Sequence, residues 1–142
     1  MIPAIVISVI FLDQLTKFFA LWFLENAPLV IIKDFLSLSL VRNRGAAFGI
    51  LKNQLLVFVI LSLIAIILII SYLKDKKKSF LSTISLSLIL AGSIGNLIDR
   101  LRLGCVVDFL DFHVWPVFNV ADSAITIGAL LLTWELLFKK NA

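Results

Sequence analysis

The chain has 142 residues, of which 61% are hydrophobic and only 15% are charged, and its mean hydropathy is +1.11. Soluble domains carry about 25% charged residues, so this composition excludes an ordinary soluble domain and indicates a polytopic membrane protein. The net charge of +4 suits contact with anionic lipid, and we expect no nucleic-acid partner.

Four apolar stretches are long enough to cross a hydrocarbon core, which takes about 20 helical residues. We expect these spans at about 2–24, 55–73, 80–98 and 117–138, in a single membrane domain over residues 1–142. The second span is uncharged and should face lipid. Because ionisable residues in a membrane face the interior of a helix bundle, spans one, three and four should line a common site.

Within the first span, Asp13 and Lys17 lie one helical turn apart. This spacing allows the two side chains to neutralise each other, and it equally allows both to belong to a functional site. Both interpretations remain open at this point.

The segment after the first span, residues 27–50, predicts a small β structure. Leu36, Leu38 and Leu40 alternate with serines, the period-two pattern of a half-exposed strand, and a β-prone run at 29–32 precedes them. We expect a small sheet on the membrane surface. The residues that follow, 42–49, include two glycines that permit tight turning, so an ordinary turn and a substrate contact are both open.

Polar residues cluster where the third span ends and the fourth begins. Asn96, Asp99 and Arg100 share one helix face, and Asn119 and Asp122 share a face of the neighbouring helix. A hairpin would bring these faces together, and symmetry would pair Asp99 with Asp122.

Asp108 adds a third carboxylate at the same interface. Two carboxylates a few ångströms apart cannot easily both ionise, so one keeps a proton while the other can activate water against an amide. Such a pair is an aspartic peptidase site. A structural interpretation competes with it, in which Asp99 pairs with Arg100 and Asn119 and Asp122 only cap the fourth helix. Asp111 and His113 are expected to be solvated loop residues.

Other functional classes also use carboxylates in a bundle. A small proton-coupled transporter or relay is the main alternative, and a non-catalytic assembly protein is another. Relays distribute ionisable groups across the membrane depth, whereas most of these groups lie at one face, which favours interfacial chemistry. One cysteine, Cys105, excludes an intramolecular disulfide, and no metal-ligand cluster is visible.

The distribution of basic residues predicts the orientation of the spans. Six lysines and arginines fall on each side, but those on the side of the termini are packed into two short segments next to the membrane. By the positive-inside rule both termini are cytoplasmic and both motif-bearing loops are extracytoplasmic. The dense set comprises Lys74, Lys76, Lys77, Lys78, Lys139 and Lys140.

Five motifs, in this order, resemble the signature motifs of the lipoprotein signal peptidases, also called signal peptidase II. They are Asp13-Gln14-x-Thr16-Lys17, Asn43-x-Gly45-Ala46-Ala47-Phe48, Gly92-x-x-Gly95-Asn96-x-x-Asp99-Arg100, Val106-Val107-Asp108-Phe109 and Phe118-Asn119-x-Ala121-Asp122.

The resemblance implies an all-α membrane protein of four transmembrane helices with a small extracytoplasmic β-cradle. It implies an aspartic endopeptidase of the bacterial cytoplasmic (inner) membrane, without metal or cofactor. Such an enzyme removes the signal peptide from diacylglyceryl-modified prolipoproteins on the amino side of the lipidated cysteine. We further expect a monomer whose other partners are membrane lipids.

The resemblance also assigns roles to residues. The catalytic pair becomes Asp108 and Asp122 instead of the symmetric pair, and Asp99 becomes a structural group. Substrate contacts and supporting roles then fall on Asn43, Gly45, Asn96, Arg100 and Asn119. We also count Asp13, Lys17 and Asp99 among the supporting residues. The chain departs from the family pattern at Ala91, commonly glycine, and at Arg44, commonly threonine, and the stretch between the two aspartates is short.

Overall fold

The computed structural model describes residues 1–45, 54–74 and 79–138. In chain order these residues form α1 (Ile2–Phe23), β1 (Leu29–Ile32), β2 (Leu36–Asn43), α2 (Leu55–Leu73), α3 (Phe80–Leu103), β3 (Val106–Asp111) and α4 (Val120–Phe138). All four helices are long and apolar enough to cross a membrane, so the expected fold class is confirmed. Residues 46–49 of the glycine-containing turn and Lys76–Lys78 and Lys139–Lys140 of the basic segments lie outside the described residues.

The helix α3 is the centre of the bundle and packs against α1, α2 and α4. Two glycines let α3 and α4 approach closely: a Cβ on Gly92 would lie 2.7 Å from Ile125 Cγ1, and a Cβ on Gly128 would lie 2.6 Å from the Ser85 carbonyl oxygen. Small residues at such crossings are typical of membrane helices. None of the residues of α2 is buried, so this helix lies at the outside of the bundle, where the sequence places a lipid-facing wall.

A three-stranded antiparallel sheet, in the order β1-β2-β3, lies at one end of the bundle. Its apolar side packs on α1 through a cluster of Ala20, Leu24, Val107 and Phe109, which the leucines of β2 partly cover. The two strands expected before α2 are present, but β3 was not predicted. Strand pairing places Val41 opposite Asp108 and so brings the first loop against the second.

Two helices have ends that differ by a few residues from the approximate spans expected from the sequence. The helix α3 continues past residue 98 to Leu103 and ends at Gly104, whose φ of 68° is the left-handed conformation that favours glycine at a helix end. The helix α4 begins at Val120 and not at 117, because Phe118 still pairs with Leu110 of β3. Both differences place the polar motifs at helix ends next to the sheet.

Candidate active site

A buried lysine lies at the base of the site. The Lys17 Nζ atom is 2.8 Å from Asp13 Oδ2 and 2.9 Å from Asp99 Oδ2, and all three side chains are at most 3% exposed. The sequence left open whether Asp13 and Lys17 neutralise each other. They do so in the structure, and Asp99 joins them. The alternative Asp99–Arg100 ion pair is not found among the residues that the structure describes.

One lysine cannot neutralise two carboxylates, and backbone N–H groups supply further donors. The Ala121 amide of α4 donates to Asp13 Oδ1 at 2.8 Å, and the Val107 amide of β3 donates to Asp99 Oδ2 at 3.1 Å. Gln14 Nε2 donates to Asp99 Oδ1 at 3.0 Å. Hydrogen bonds to an ionised carboxylate stabilise its charged form. This cluster therefore ties α1, α3, β3 and α4 together beneath the sheet.

Asn96 connects this cluster to Asp122. Lys17 Nζ donates to Asn96 Oδ1 at 3.0 Å, and Asn96 Nδ2 donates to Asp122 Oδ1 at 2.8 Å. A lysine ammonium has donors only, so the atom of Asn96 that faces it must be the oxygen. The lysine therefore determines which way the amide points, and the amide nitrogen is directed at the carboxylate.

Asn119 joins both candidate catalytic carboxylates. Its Nδ2 atom donates to Asp108 Oδ1 at 2.7 Å, and its backbone amide donates to Asp122 Oδ2 at 3.3 Å. Its Oδ1 atom accepts from the Asp122 amide at 2.9 Å, which is the helix cap that the sequence offered as the structural alternative. The cap and the contact with the carboxylates coexist, because they use different atoms of the same residues.

Asp108 is held from the other side by the first loop. Asn43 Nδ2 donates to Asp108 Oδ2 at 2.9 Å, while the Gly45 amide donates to Asn43 Oδ1 at 2.9 Å. Burial is the main cause that raises the pKa of Asp108 to about 7, and the charge of Asp122 adds to it. The hydrogen bonds from Asn43 and Asn119 oppose this shift because they stabilise the ionised form.

A cavity of about 190 Å³ opens above these side chains. Asp108, Asp122 and Asn96 line it, but Asp99 does not, so the symmetric pairing of Asp99 with Asp122 is not what the structure shows. Its other lining residues are Asn43, Gly45, Arg100, Val106, Trp115, Pro116, Val117 and Phe118.

Arg100 reaches this cavity from α3. Its guanidinium lies 5.3 Å from the centre of the Phe58 ring, and Nη1 is 3.5 Å from the Ser62 hydroxyl, so α2 contacts the site through this side chain. The arginine is half-buried, which leaves part of it facing the cavity.

Sequence reasoning missed two contributors to the site. Gln14 was quoted within a motif but given no role, although a polar residue inside an apolar span was a signal for one. The segment 115–118, which lines the cavity, carried no polar pattern to find, although Phe118 begins one of the quoted motifs. Asp111 and His113 lie outside the cavity, and the His113 amide donates to Asp111 Oδ1 at 2.8 Å.

A different cluster lies at the far end of α4. Glu135 is buried and accepts hydrogen bonds from the hydroxyls of Ser79 and Ser82. It lies at the opposite end of α4 from Asp122 and does not line the cavity.

The bundle has four helices that could cross a membrane. At one end of it, two carboxylates accept hydrogen bonds from asparagine side chains. These features define a class, the membrane-embedded aspartic peptidases. Within that class the chain belongs to the signal peptidase II family, because the model of the family described as Signal peptidase (SPase) II matches residues 5–138.

Similar proteins span almost the whole chain. The lipoprotein signal peptidase of Caldanaerobacter subterraneus is 49% identical over 138 residues, which cover 95% of this chain and 94% of that protein. That of Halothermothrix orenii is 44% identical over 133 residues, covering 93% and 92%. A bacterial membrane enzyme structure obtained by the in meso method at 2.3 Å resolution superposes with a TM-score of 0.91 at 34% identity, covering 99% of this chain and 92% of the other. The resemblance stated from the motifs is confirmed, and nothing in these comparisons favours a transporter.

Proposed function

We propose that this protein cleaves the signal peptide from diacylglyceryl-modified prolipoproteins, on the amino side of the lipidated cysteine, and that Asp108 and Asp122 are its catalytic dyad. The observation that carries the proposal is the convergence of both carboxylates on one cavity and on one residue, Asn119. Membership of the signal peptidase II family supports the substrate class.

The mechanism we propose divides the roles of the two carboxylates. Asp108, whose pKa burial raises to about 7, carries the shared proton in the protonated fraction that is present at and below neutral pH. In this proposal Asp122 is the ionised partner, and it accepts hydrogen bonds from Asn96 and from the Asn119 amide. It takes a proton from water as the water attacks the scissile carbonyl. Asp108 donates its proton to the developing oxyanion. As the C–N bond breaks, Asp122 gives the proton taken from water to the leaving amine, and the diol returns a proton to Asp108.

The other polar residues in and beneath the cavity orient the dyad and the substrate. Asn96 and Asn119 present N–H groups to the carboxylates at 2.8 Å and 2.7 Å, which keeps both in one rotamer. In this proposal Arg100 binds a backbone carbonyl of the substrate, while Asn43 and Gly45 contact the substrate from the strand side. Asp13, Lys17 and Asp99 support the site from below and do not touch the substrate.

The proposed location is the bacterial inner membrane, with both termini in the cytoplasm and the dyad at the extracytoplasmic face. The sheet and the dyad lie at the same end of the bundle, opposite the end of α2 at Lys74. A peptidase at this depth can reach a peptide bond at the membrane surface while the acyl chains of the substrate remain in lipid. We propose that the active form is a monomer.

The decisive experiment is cleavage of a lipidated prolipoprotein peptide by the purified protein in nanodiscs. Asp108→Asn and Asp122→Asn should each remove nearly all turnover, because each deletes one proton-transfer partner at almost constant volume. Asp111→Asn is the matched control, since it changes a carboxylate on the same strand outside the cavity, and it should retain activity. Asp99→Asn should retain more activity than either dyad variant.

Two results would refute the proposal. One is an active Asp108→Asn variant alongside an inactive Asp99→Asn variant of equal thermal stability, which would restore the symmetric pair. The other is loss of activity in a chelator with recovery on addition of zinc, because a metal-activated water would then replace the carboxylate dyad.

A further inference from the structure

A second cavity, which we call the back cavity, lies on the opposite face of β3 from the dyad. Asp108 lines the dyad cavity, whereas its neighbour Val107 points the other way and lines the back cavity. Successive side chains of a strand point to opposite faces, so the two cavities share one strand as a wall. The back cavity has a volume of about 690 Å³ and is separate from the proposed peptidase site.

The floor of the back cavity is apolar and aromatic. Phe18 and Trp22 of α1 line it, and their ring centres lie 6.3 Å apart along the helix. Both rings are exposed, by 54% and 72% respectively. Because α1 ends at Phe23, these rings lie at the end of a membrane span, where aromatic side chains mark the boundary between acyl chains and headgroups.

The rim of the back cavity is basic. Arg42 and Arg44 both line it, and Glu25 is the only carboxylate that lines it within the part of the chain that the structure describes. Arg42 Nη2 lies 3.3 Å from Glu25 Oε1, in a pair whose side chains are more than half exposed. Among the described residues, no carboxylate lies within ion-pair distance of Arg44. The rim therefore carries one more positive than negative charge, above an apolar floor.

We propose that the back cavity binds an anionic glycerophospholipid of the surrounding leaflet. The phosphate would lie at Arg44 and Arg42, and an acyl chain would lie along Phe18 and Trp22. A diacylglyceryl-cysteine carries no phosphate, so the basic rim fits a membrane phospholipid better than the lipid of the substrate. This proposal does not rest on the assignment of the catalytic dyad.

A lipid bound at the two arginines would also affect the dyad cavity, because of where these arginines lie in the sequence. They flank Asn43, whose side chain donates to Asp108 on the other face of the sheet. Arg42 pairs with Val107, and Asn43 pairs with Val106, in the ladder between β2 and β3. A phosphate held by the arginines would therefore restrain the end of β2 that carries the Asn43 amide.

The test is lipid binding to the purified full chain, measured by native mass spectrometry and by thermal unfolding in neutral detergent. We expect phosphatidylglycerol to bind and to raise the Tm, with phosphatidylcholine and inorganic phosphate giving smaller shifts. Arg44→Gln should weaken phosphatidylglycerol binding about fivefold, the factor expected for one basic residue near an anionic lipid surface. Glu25→Gln should strengthen it, because it removes the carboxylate that competes for Arg42.

The matched control is Lys33→Gln, which removes one exposed positive charge in the β1–β2 turn, outside the back cavity. This variant should bind phosphatidylglycerol like the wild type, and so should Asp108→Asn, which separates lipid binding from catalysis. Equal weakening in Lys33→Gln and Arg44→Gln would show a general surface-charge effect and overturn the proposal. A phosphate response equal to that of phosphatidylglycerol would overturn the lipid as occupant. Wild-type binding by both Arg44→Gln and Glu25→Gln would also refute it.

Discussion

Replacing Gly92 by alanine tests whether the contact between α3 and α4 positions the dyad. The added Cβ would lie 2.7 Å from Ile125 Cγ1 and 3.2 Å from the Ala121 carbonyl carbon, and it would lie still closer to the Ala121 oxygen. The Ala121 carbonyl group belongs to the backbone of α4, so it cannot rotate away as a side chain can. Since carbon atoms pack at about 3.5–4.0 Å, α4 must retreat by roughly 1 Å.

The expected magnitudes follow from that displacement. Overpacking of this kind destabilises by about 1–3 kcal/mol. Ala121 is adjacent to Asp122, so the retreat also moves a proposed catalytic carboxylate away from Asn96, its partner at 2.8 Å. Misplacement of a reacting group by about 1 Å can cost about 100-fold in rate, and we expect kcat/KM for the lipidated peptide to fall by about that factor.

Gly128→Ala is the matched comparison, because its Cβ would lie 2.6 Å from the Ser85 carbonyl oxygen in the same helix pair. Gly128 lies six residues beyond Asp122, about 9 Å along the helix. The Gly128→Ala variant should lower the Tm by about as much as Gly92→Ala does, but it should reduce kcat/KM far less. Both variants are assayed at a temperature where thermal unfolding shows them fully folded. Equal losses of activity in the two folded variants would refute the argument that this contact positions the dyad.

Three further predictions concern pH, the buried lysine and the orientation of the chain. Because burial raises the pKa of Asp108 to about 7, the proton is lost as the pH rises through that value, and kcat/KM should fall about tenfold per pH unit above it. Asn43→Ala removes a hydrogen bond that lowers the pKa of Asp108, so the alkaline limb of the pH profile of kcat/KM should move to higher pH. A shift to lower pH would contradict the assignment of this limb to Asp108. Lys17→Met leaves two buried carboxylates unpaired and should destabilise the fold by about 3–5 kcal/mol, which a wild-type Tm would disprove. In a cysteine-free background, a cysteine at Lys33 should react with an impermeant thiol reagent added outside sealed cells, and one at Lys74 only after permeabilisation; the reverse pattern would invert the topology.

The membrane class and the four spans could be predicted from the sequence, because the length and hydrophobicity of a span are local properties. The alternating leucines likewise predicted β2, whose apolar face packs on α1. The interior position of Asp13 and Lys17 also followed from the sequence, since hydrocarbon disfavours their charges. The ordered motifs singled out Asp108 by resemblance, where helix periodicity had preferred Asp99.

Only the tertiary structure decided which groups meet. The strand β3 was missed because Val106–Asp111 does not alternate, and its partner β2 lies more than 60 residues earlier in the chain. Helix periodicity placed Asp99 on the face of Asn96, but it could not show that Lys17 of α1 pairs with Asp99. That ion pair holds Asp99 beneath the sheet, while β3 brings Asp108 to the cavity that Asp122 lines. Spacing along one helix determines which face a side chain occupies, whereas its partner depends on how distant segments pack against that face.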